Sequence, residues 1–296
     1  MISVLFAVLA AASNALASVL QRHAARLVPE DEAFRLALIW DLIRRPDWLG
    51  GIVALMFGFL FQAAALTTGE LSLVQPILVT ELPITMLLLA GLFRIRLGTE
   101  SWRAVAALTV GLAVLLASAA PSAGHRHPNR IEWAIATLVT LGLAAYLVSV
   151  AKVTRGASRA ALLGVASGLG FAFTAALMKE ATHVLPAGPV ALLTSWSVWA
   201  MVAAGLGSLF LLQNALHSGT LVAVQPALNV SDPVSSIAYG VGLFGENIRL
   251  GGWVVLELLG VGLLLYGSRL LAQSPPVRDH PQVNPPGPES ETPLGH

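Results

Sequence analysis

The sequence predicts an all-α, polytopic membrane protein: about nine transmembrane helices in two inverted four-helix repeats joined by a linking helix. Three observations carry this expectation. The 296 residues are 56% hydrophobic and 11% charged, with mean hydropathy +0.76, which is far too apolar for a soluble domain. Nine apolar runs reach the roughly 20 residues that a bilayer crossing needs. Two stretches, Gln75-Pro76-Ile77-Leu78-Val79-Thr80-Glu81-Leu82-Pro83 and Gln225-Pro226-Ala227-Leu228-Asn229-Val230-Ser231-Asp232-Pro233, carry Gln-Pro, a carboxylate and a closing Pro at matching places inside such runs.

Taken in order, the runs are 2–21, 49–68, 71–93, 102–120, 131–150, 160–178, 190–212, 219–244 and 251–271. The first resembles a signal peptide, with Ala15-Leu16-Ala17 mimicking a cleavage site. No basic residue precedes it, however, and Arg22 and Arg26 follow, so it reads as an uncleaved first span. Residues 30–47 mix Phe34, Leu36, Ile39, Trp40 and Ile43 with Arg35, Asp41, Arg44 and Arg45, the pattern of a short helix lying on the membrane surface. The run at 219–244 is longer than a crossing requires, which fits tilt or a break at its prolines. These elements divide into a first repeat (1–120), a linking helix (131–150), a second repeat (159–271) and a polar, Pro-rich tail (273–296) with the composition of disorder.

Charge placement gives an orientation. With nine crossings, 13 of the 17 basic residues fall on one side, and only Arg126, Arg130, Lys179 and Arg249 fall on the other. The positive-inside rule makes the first side cytoplasmic, with the N-terminus out and the C-terminus in, as expected for a multi-pass protein of the plasma membrane. Lysine occurs only at Lys152 and Lys179 and every other base is arginine, a usage typical of a GC-rich bacterial genome. The absence of cysteine excludes disulfides, thiolate metal sites and cysteine nucleophiles. Scattered basic residues give no nucleic-acid surface, and no phosphate-cradling Gly-rich turn is present. Neither an enzymatic activity nor a cofactor is expected. The expected partners are the lipid bilayer, a small-molecule or cation substrate and, in one reading, a second copy of the chain.

The repeat extends beyond the proline motifs. Leu20-Gln21-Arg22-His23-Ala24 followed by Pro29 aligns with Leu177-Met178-Lys179-Glu180-Ala181 followed by Pro186. Phe93-Arg94-Ile95-Arg96-Leu97-Gly98 aligns, with two extra residues, with 244–251. Spans one to four thus match spans six to nine. An odd number of crossings between the copies inverts one relative to the other, the architecture of many secondary transporters.

The candidate site is the pair Glu81 and Asp232. Each lies about 15 Å from the outer surface at 1.5 Å per residue, and a carboxylate at that depth is expensive enough to imply a function. Pro76, Pro83, Pro226 and Pro233 are hinge candidates, because proline cannot donate to the helix ladder and frees a carbonyl one turn back. Gln225, Asn229, Asp232 and Ser236 share one helical face, Glu81 and Thr85 share another, and Gln75 opens the first motif. Asn14, Ser18 and Gln21 form a stripe on span one, and Gln62 and Gln213 lie near matching ends of spans two and seven. Amides and hydroxyls of this kind also serve simply to tie helices together. Glu257 is shallower than the two central acids. An interior with acids and no fixed base favours a cation or bound protons, with Glu81 and Asp232 as the metal-ligand candidates. The histidines at 125 and 127 lie in an outer loop and read as solvated.

Gly242-Leu243-Phe244-Gly245-Glu246-Asn247-Ile248-Arg249-Leu250, together with the Pro-containing spans, resembles the drug/metabolite transporter superfamily of EamA-like proteins. The first copy departs from that phrase at Phe93-Arg94-Ile95-Arg96-Leu97. Nine spans and the stretch from Ala65 to Pro76 resemble the branch of NIPA-type magnesium transporters. The resemblance covers residues 1–271 and implies alternating access by two inverted halves without an ATPase. The substrate stays open between magnesium or another divalent cation and a small metabolite, amino acid or organic cation exchanged for protons. A non-transporting membrane scaffold is the reading from a different class.

Overall fold

The computed structural model describes residues 2–26, 46–92, 98–122, 124, 126–218, 221–249 and 251–273. Most of the expected surface helix at 30–47 and nearly all of the tail at 273–296 lie outside them. The described residues form helices and short connections, with one isolated antiparallel bridge between Ser122 and Asn247. The helices are α1 (Ile2–Arg26), α2 (Pro46–Thr68), α3 (Leu71–Leu78), α4 (Glu81–Leu92), α5 (Thr99–Ala119), α6 (Arg130–Val153), α7 (Gly156–Thr182), the short α8 (Pro189–Thr194), α9 (Trp196–Ser218), α10 (Leu221–Phe244) and α11 (Trp253–Gln273). Among the described residues, eight segments are long and apolar enough to cross a membrane, α3 and α4 counting as one. The 24-residue α10 has the length for it, but Gln225, Asn229, Ser231, Asp232, Ser235 and Ser236 lower its hydropathy.

Two expected spans are interrupted. The run at 71–93 breaks at Val79 and Thr80, between its two prolines. Neither Pro76 nor Pro83 has an N–H to give, and the chain tightens instead. Val79 N–H donates to the Pro76 carbonyl (3.1 Å), Thr80 N–H to Ile77 (2.9 Å) and Leu82 N–H to Val79 (3.1 Å). The Val79 carbonyl, which Pro83 was expected to leave free, therefore accepts from Leu82. In contrast, α10 continues through Pro226 and Pro233. The run at 190–212 is divided at Ser195, whose extended backbone (ψ 133°) ends α8 before α9 begins.

Local chemistry fixes the start of α6. Asn129 Oδ1 accepts from Ile131 N–H (2.9 Å) and Glu132 N–H (3.0 Å), while Glu132 accepts from Asn129 N–H (2.9 Å), a reciprocal capping box. Arg126 pairs with the same Glu132 carboxylate. Beyond its cap α6 leans mainly on α7 and leaves a wide apolar face uncovered, with Leu138 at 74% exposure. A face of that kind is the mark of contact with a membrane or another protein.

Packing pairs the helices in a regular way. Helix α1 lies along α2, and α7 along both α9 and α10. The half-helix α3 sits against α10 and α1, and α4 against α1. Helix α5 lies along α11, and there the backbones nearly touch: a Cβ on Gly111 would stand 2.9 Å from the Gly260 carbonyl oxygen, and one on Gly260 would stand 2.8 Å from Leu115 N. Small residues allow that approach, which dispersion then rewards.

Apolar clusters distribute unevenly along the bundle. At the end holding Ser3, Gly69, Ser122 and Glu246, one cluster joins Ala7, Leu66, Leu71, Phe173, Leu177 and Phe244, drawing on both halves of the chain. At the opposite end, among the described residues, the cluster of Ala151, Ala160, Leu163, Ala215 and Val224 draws on α6, α7, α9 and α10. A third cluster, including Met86, Leu108, Leu112 and Leu264, fills the α4–α5–α11 contact and reaches Val79, Leu82 and Val230.

Gly111→Val is expected to force α5 off α11 and lower stability by about 1–3 kcal/mol, the usual cost of overpacking. Gly142→Val on α6, where an added Cβ meets nothing within 4 Å, is expected to leave the unfolding midpoint in detergent unchanged.

Candidate functional site

The break in the third span puts Glu81 at the first position of α4. Its carboxylate turns toward α1, where Ser18 Oγ donates to Glu81 Oε1 at 3.3 Å and the Asn14 side chain stands beside the same carboxylate. Asn14 is held by close approach of α2: a Cβ on Gly58 would lie 2.0 Å from Asn14 Oδ1, so only glycine leaves room for the amide. Asn14 and Gln62, with Leu55, Met56, Phe59 and Leu60, line a cleft of about 470 Å³. Its four apolar walls, Leu55, Met56, Phe59 and Leu60, are each about half exposed.

Asp232 sits on α10, where Ser236 Oγ donates to its Oδ1 at 3.3 Å. Asn229 reaches Gln225 Oε1 (3.4 Å) and Ser268 Oγ on α11 (3.2 Å), which makes it a tie between helices. Glu81 is thus served by α1 and Asp232 by its own helix, and among the described residues no side chain bridges the two carboxylates. Thr85 spends its hydroxyl on the Glu81 backbone carbonyl (2.7 Å). Gln75 is buried at 4% exposure with Nε2 lacking a hydrogen-bond partner. Of the hinge candidates, Pro76, Pro83 and Pro233 are buried and Pro226 is partly buried. One oxygen of Glu257 is also buried without a partner. Among the described residues no three acidic or histidine side chains converge as metal ligands.

Sequence reasoning missed the most heavily bonded carboxylate. Glu246, with no exposed side-chain surface, accepts from Leu71 N–H (2.6 Å), Ser72 N–H (2.8 Å), Ser72 Oγ (2.5 Å) and Lys179 Nζ (2.6 Å). It caps the N-terminus of α3 from more than 170 residues away, where orphan N–H groups and the helix dipole both favour an anion. Lys179 also donates to the Gly69 carbonyl (3.1 Å) and lies 4.9 Å from the Phe244 ring centroid. The available signal was Lys179 itself, one of two lysines and at the end of a span, with Glu246 as its acidic counterpart on the same side.

Nearby, the rings of His127 and His183 meet edge to face at 4.8 Å. Burial, then His127 and Lys179, hold His183 below the ordinary histidine value. His125 lies outside the described residues.

The chain is similar to an uncharacterised protein of Corynebacterium glutamicum, 25% identical over 268 residues that cover 90% of this chain and 92% of the relative. The match spans nearly the full length of both chains. No protein-family model matches the chain, and no solved structure matches it.

Removing Glu246 leaves a buried ammonium and two orphan N–H groups, and breaking such a pair costs about 3–5 kcal/mol. Glu246→Ala is expected to lower the unfolding midpoint sharply. Glu246→Ala/Lys179→Met is expected to lose less than the sum of the single losses in a double-mutant cycle.

Proposed function

We propose that the chain is a secondary transporter of the plasma membrane that moves a small cationic solute by alternating access of two inverted halves. The observation that carries the reading is Glu81: an acid in the middle of a crossing run, at a helix break, served by Ser18 and by Asn14. A carboxylate so placed is costly in hydrocarbon and rewards a cation that enters.

Two features of the packing support the halves. The association of α1 with α2 is matched by that of α7 with α9, and the association of α3 and α4 with α1 by that of α10 with α7. That is the pairing two copies of one four-span unit would make, with α6 linking them. Broken or proline-bearing helices at corresponding places are the usual sites of such transporters. The end with Glu246 and Lys179 carries an apolar cluster that draws on both halves. With that end outside, the arrangement is closed to the outer face.

Magnesium or another divalent cation is the narrower reading, favoured by the oxygen chemistry of Glu81 and Asp232. Such an ion would keep most of its waters here, since each acid brings few protein oxygens with it. Proton exchange at Asp232 is the natural complement to solute binding at Glu81.

Reconstituted into proteoliposomes, the wild-type chain is expected to take up magnesium or a labelled organic cation, the latter driven by a proton gradient. Glu81→Gln and Asp232→Asn are each expected to abolish uptake while inserting normally. Uptake by the double variant at the wild-type rate would overturn the assignment, and absence of any uptake with intact binding partners in the membrane would favour a scaffold.

A further inference from the structure

We infer that the α6–α7 turn binds an anionic phospholipid: Lys152, Arg155 and Arg159 hold the phosphate of its headgroup, and the uncovered face of α6 takes an acyl chain. The site is separate from Glu81 and Asp232 and stands whatever solute the chain carries.

The chain concentrates charge of one sign at this turn. Between Glu132 and Glu180 it has no acidic residue, and its bases are Lys152, Arg155, Arg159 and, at the far end of α7, Lys179. Lys152 lies in the last turn of α6, Arg155 is the N-cap of α7, and Arg159 follows one helical turn later. All three are exposed, and none makes an ion pair among the described residues. Three cations with no acid to answer them call for an anion with several oxygens. The arginine fork matches a phosphate with two parallel bonds, and lysine adds a point charge.

The turn holds these residues on a short, fixed link. Helix α6 ends at Val153 and α7 begins at Gly156, so Thr154 and Arg155 alone join them. Thr154 donates to the Val150 carbonyl with its N–H (3.2 Å) and with its hydroxyl (3.2 Å). Gly156 takes φ +59°, the left-handed region that favours glycine. Behind the turn Ala151, Ala160 and Leu163 pack with α9 and α10. Helix Cα–Cβ bonds tilt toward the N-terminus, which leans Arg159 back toward the turn.

What adjoins the turn favours a lipid over a free anion. Ile135, Leu138, Tyr146 and Val153 share one face of α6, and each is more than half exposed. This stripe runs down a helix long and apolar enough to cross a membrane and ends at the three bases. A headgroup phosphate on the bases therefore lays its acyl chain along the stripe. The turn lies at the end opposite Glu246, the side that the count of bases makes cytoplasmic. Anionic lipid of that leaflet attracts juxtamembrane bases, each worth about fivefold in affinity. Because α6 leans mainly on α7, a headgroup shared by Lys152 and the two arginines clamps that contact.

The test titrates the purified full-length chain in neutral detergent with short-chain phosphatidylglycerol, reading bound lipid by native mass spectrometry. Phosphatidylglycerol is expected to bind saturably and to raise the unfolding midpoint, and phosphatidylcholine with the same chains is expected to do neither. Lys152→Gln, Arg155→Gln and Arg159→Gln are each expected to weaken binding about fivefold, and the triple variant about a hundredfold. Should the triple variant fail to insert, the single variants carry the reading. Arg103→Gln, which removes an exposed base of α5 on the same side, is expected to leave affinity unchanged. Equal binding of the two lipids, or a loss in Arg103→Gln as large as in the turn variants, would mark general attraction to a basic face and overturn the site. Displacement of the lipid by equimolar inorganic phosphate would mark a free-anion site and overturn the lipid assignment.

Discussion

The buried Glu246–Lys179 pair is the constraint around which the rest of the bundle is arranged. A half-helix of eight residues, α3, starts inside the protein with its first N–H groups turned away from water. Such a start is costly unless an anion receives it, and Glu246 receives two backbone groups and the Ser72 hydroxyl at once. That anion is itself buried and is tolerable only because Lys179 meets it at 2.6 Å. The three participants come from α3, the end of α7 and the loop after α10, so one polar knot ties the first half of the chain to the second. Around it Leu66, Leu71, Phe173, Leu177 and Phe244 exclude water and strengthen the knot further.

The knot also gives the site its geometry. With the start of α3 fixed, the proline-induced break falls at Val79 and Thr80, and Glu81 becomes the first residue of α4, facing α1. A continuous helix would give Glu81 a different facing. One end of the molecule is thus held by charge and apolar contact together, while the cleft of α1 and α2 lies beyond the sealed region. Separating the two halves of the chain at that end requires releasing Lys179 from Glu246.

Much of the fold was legible because a membrane demands it. Lipid requires long apolar helices, so hydropathy located the eight described segments long and apolar enough to cross, while α10, expected as a ninth, falls short of them through its polar stripe. The break in the third span was foreshadowed by Pro76 and Pro83, but its consequence was not: the chain tightened to shorter-range bonds and consumed the Val79 carbonyl. The role of Asn14 beside Glu81 depended on Gly58, a residue on another helix, and no spacing along α1 reveals that. Glu246 was hidden for the same reason. Its partners Leu71 and Ser72 are remote in sequence and contribute mainly backbone N–H groups, which leave no signature in side-chain patterns. Thr85 shared a face with Glu81 as expected, yet its hydroxyl closed on its own helix, the common fate of threonine in an apolar span.

The most direct measurement exploits the absence of cysteine from the chain. Ser18→Cys introduces one thiol beside Glu81, to be labelled with a membrane-impermeant maleimide in vesicles of either sidedness. Alternating access around Glu81 predicts labelling from the cytoplasmic face, little from the outer face, and a gain of outer labelling when Glu246→Gln loosens the knot. Absence of labelling from both faces, with the thiol reactive after detergent extraction, would put Ser18 and Glu81 against lipid and contradict the account.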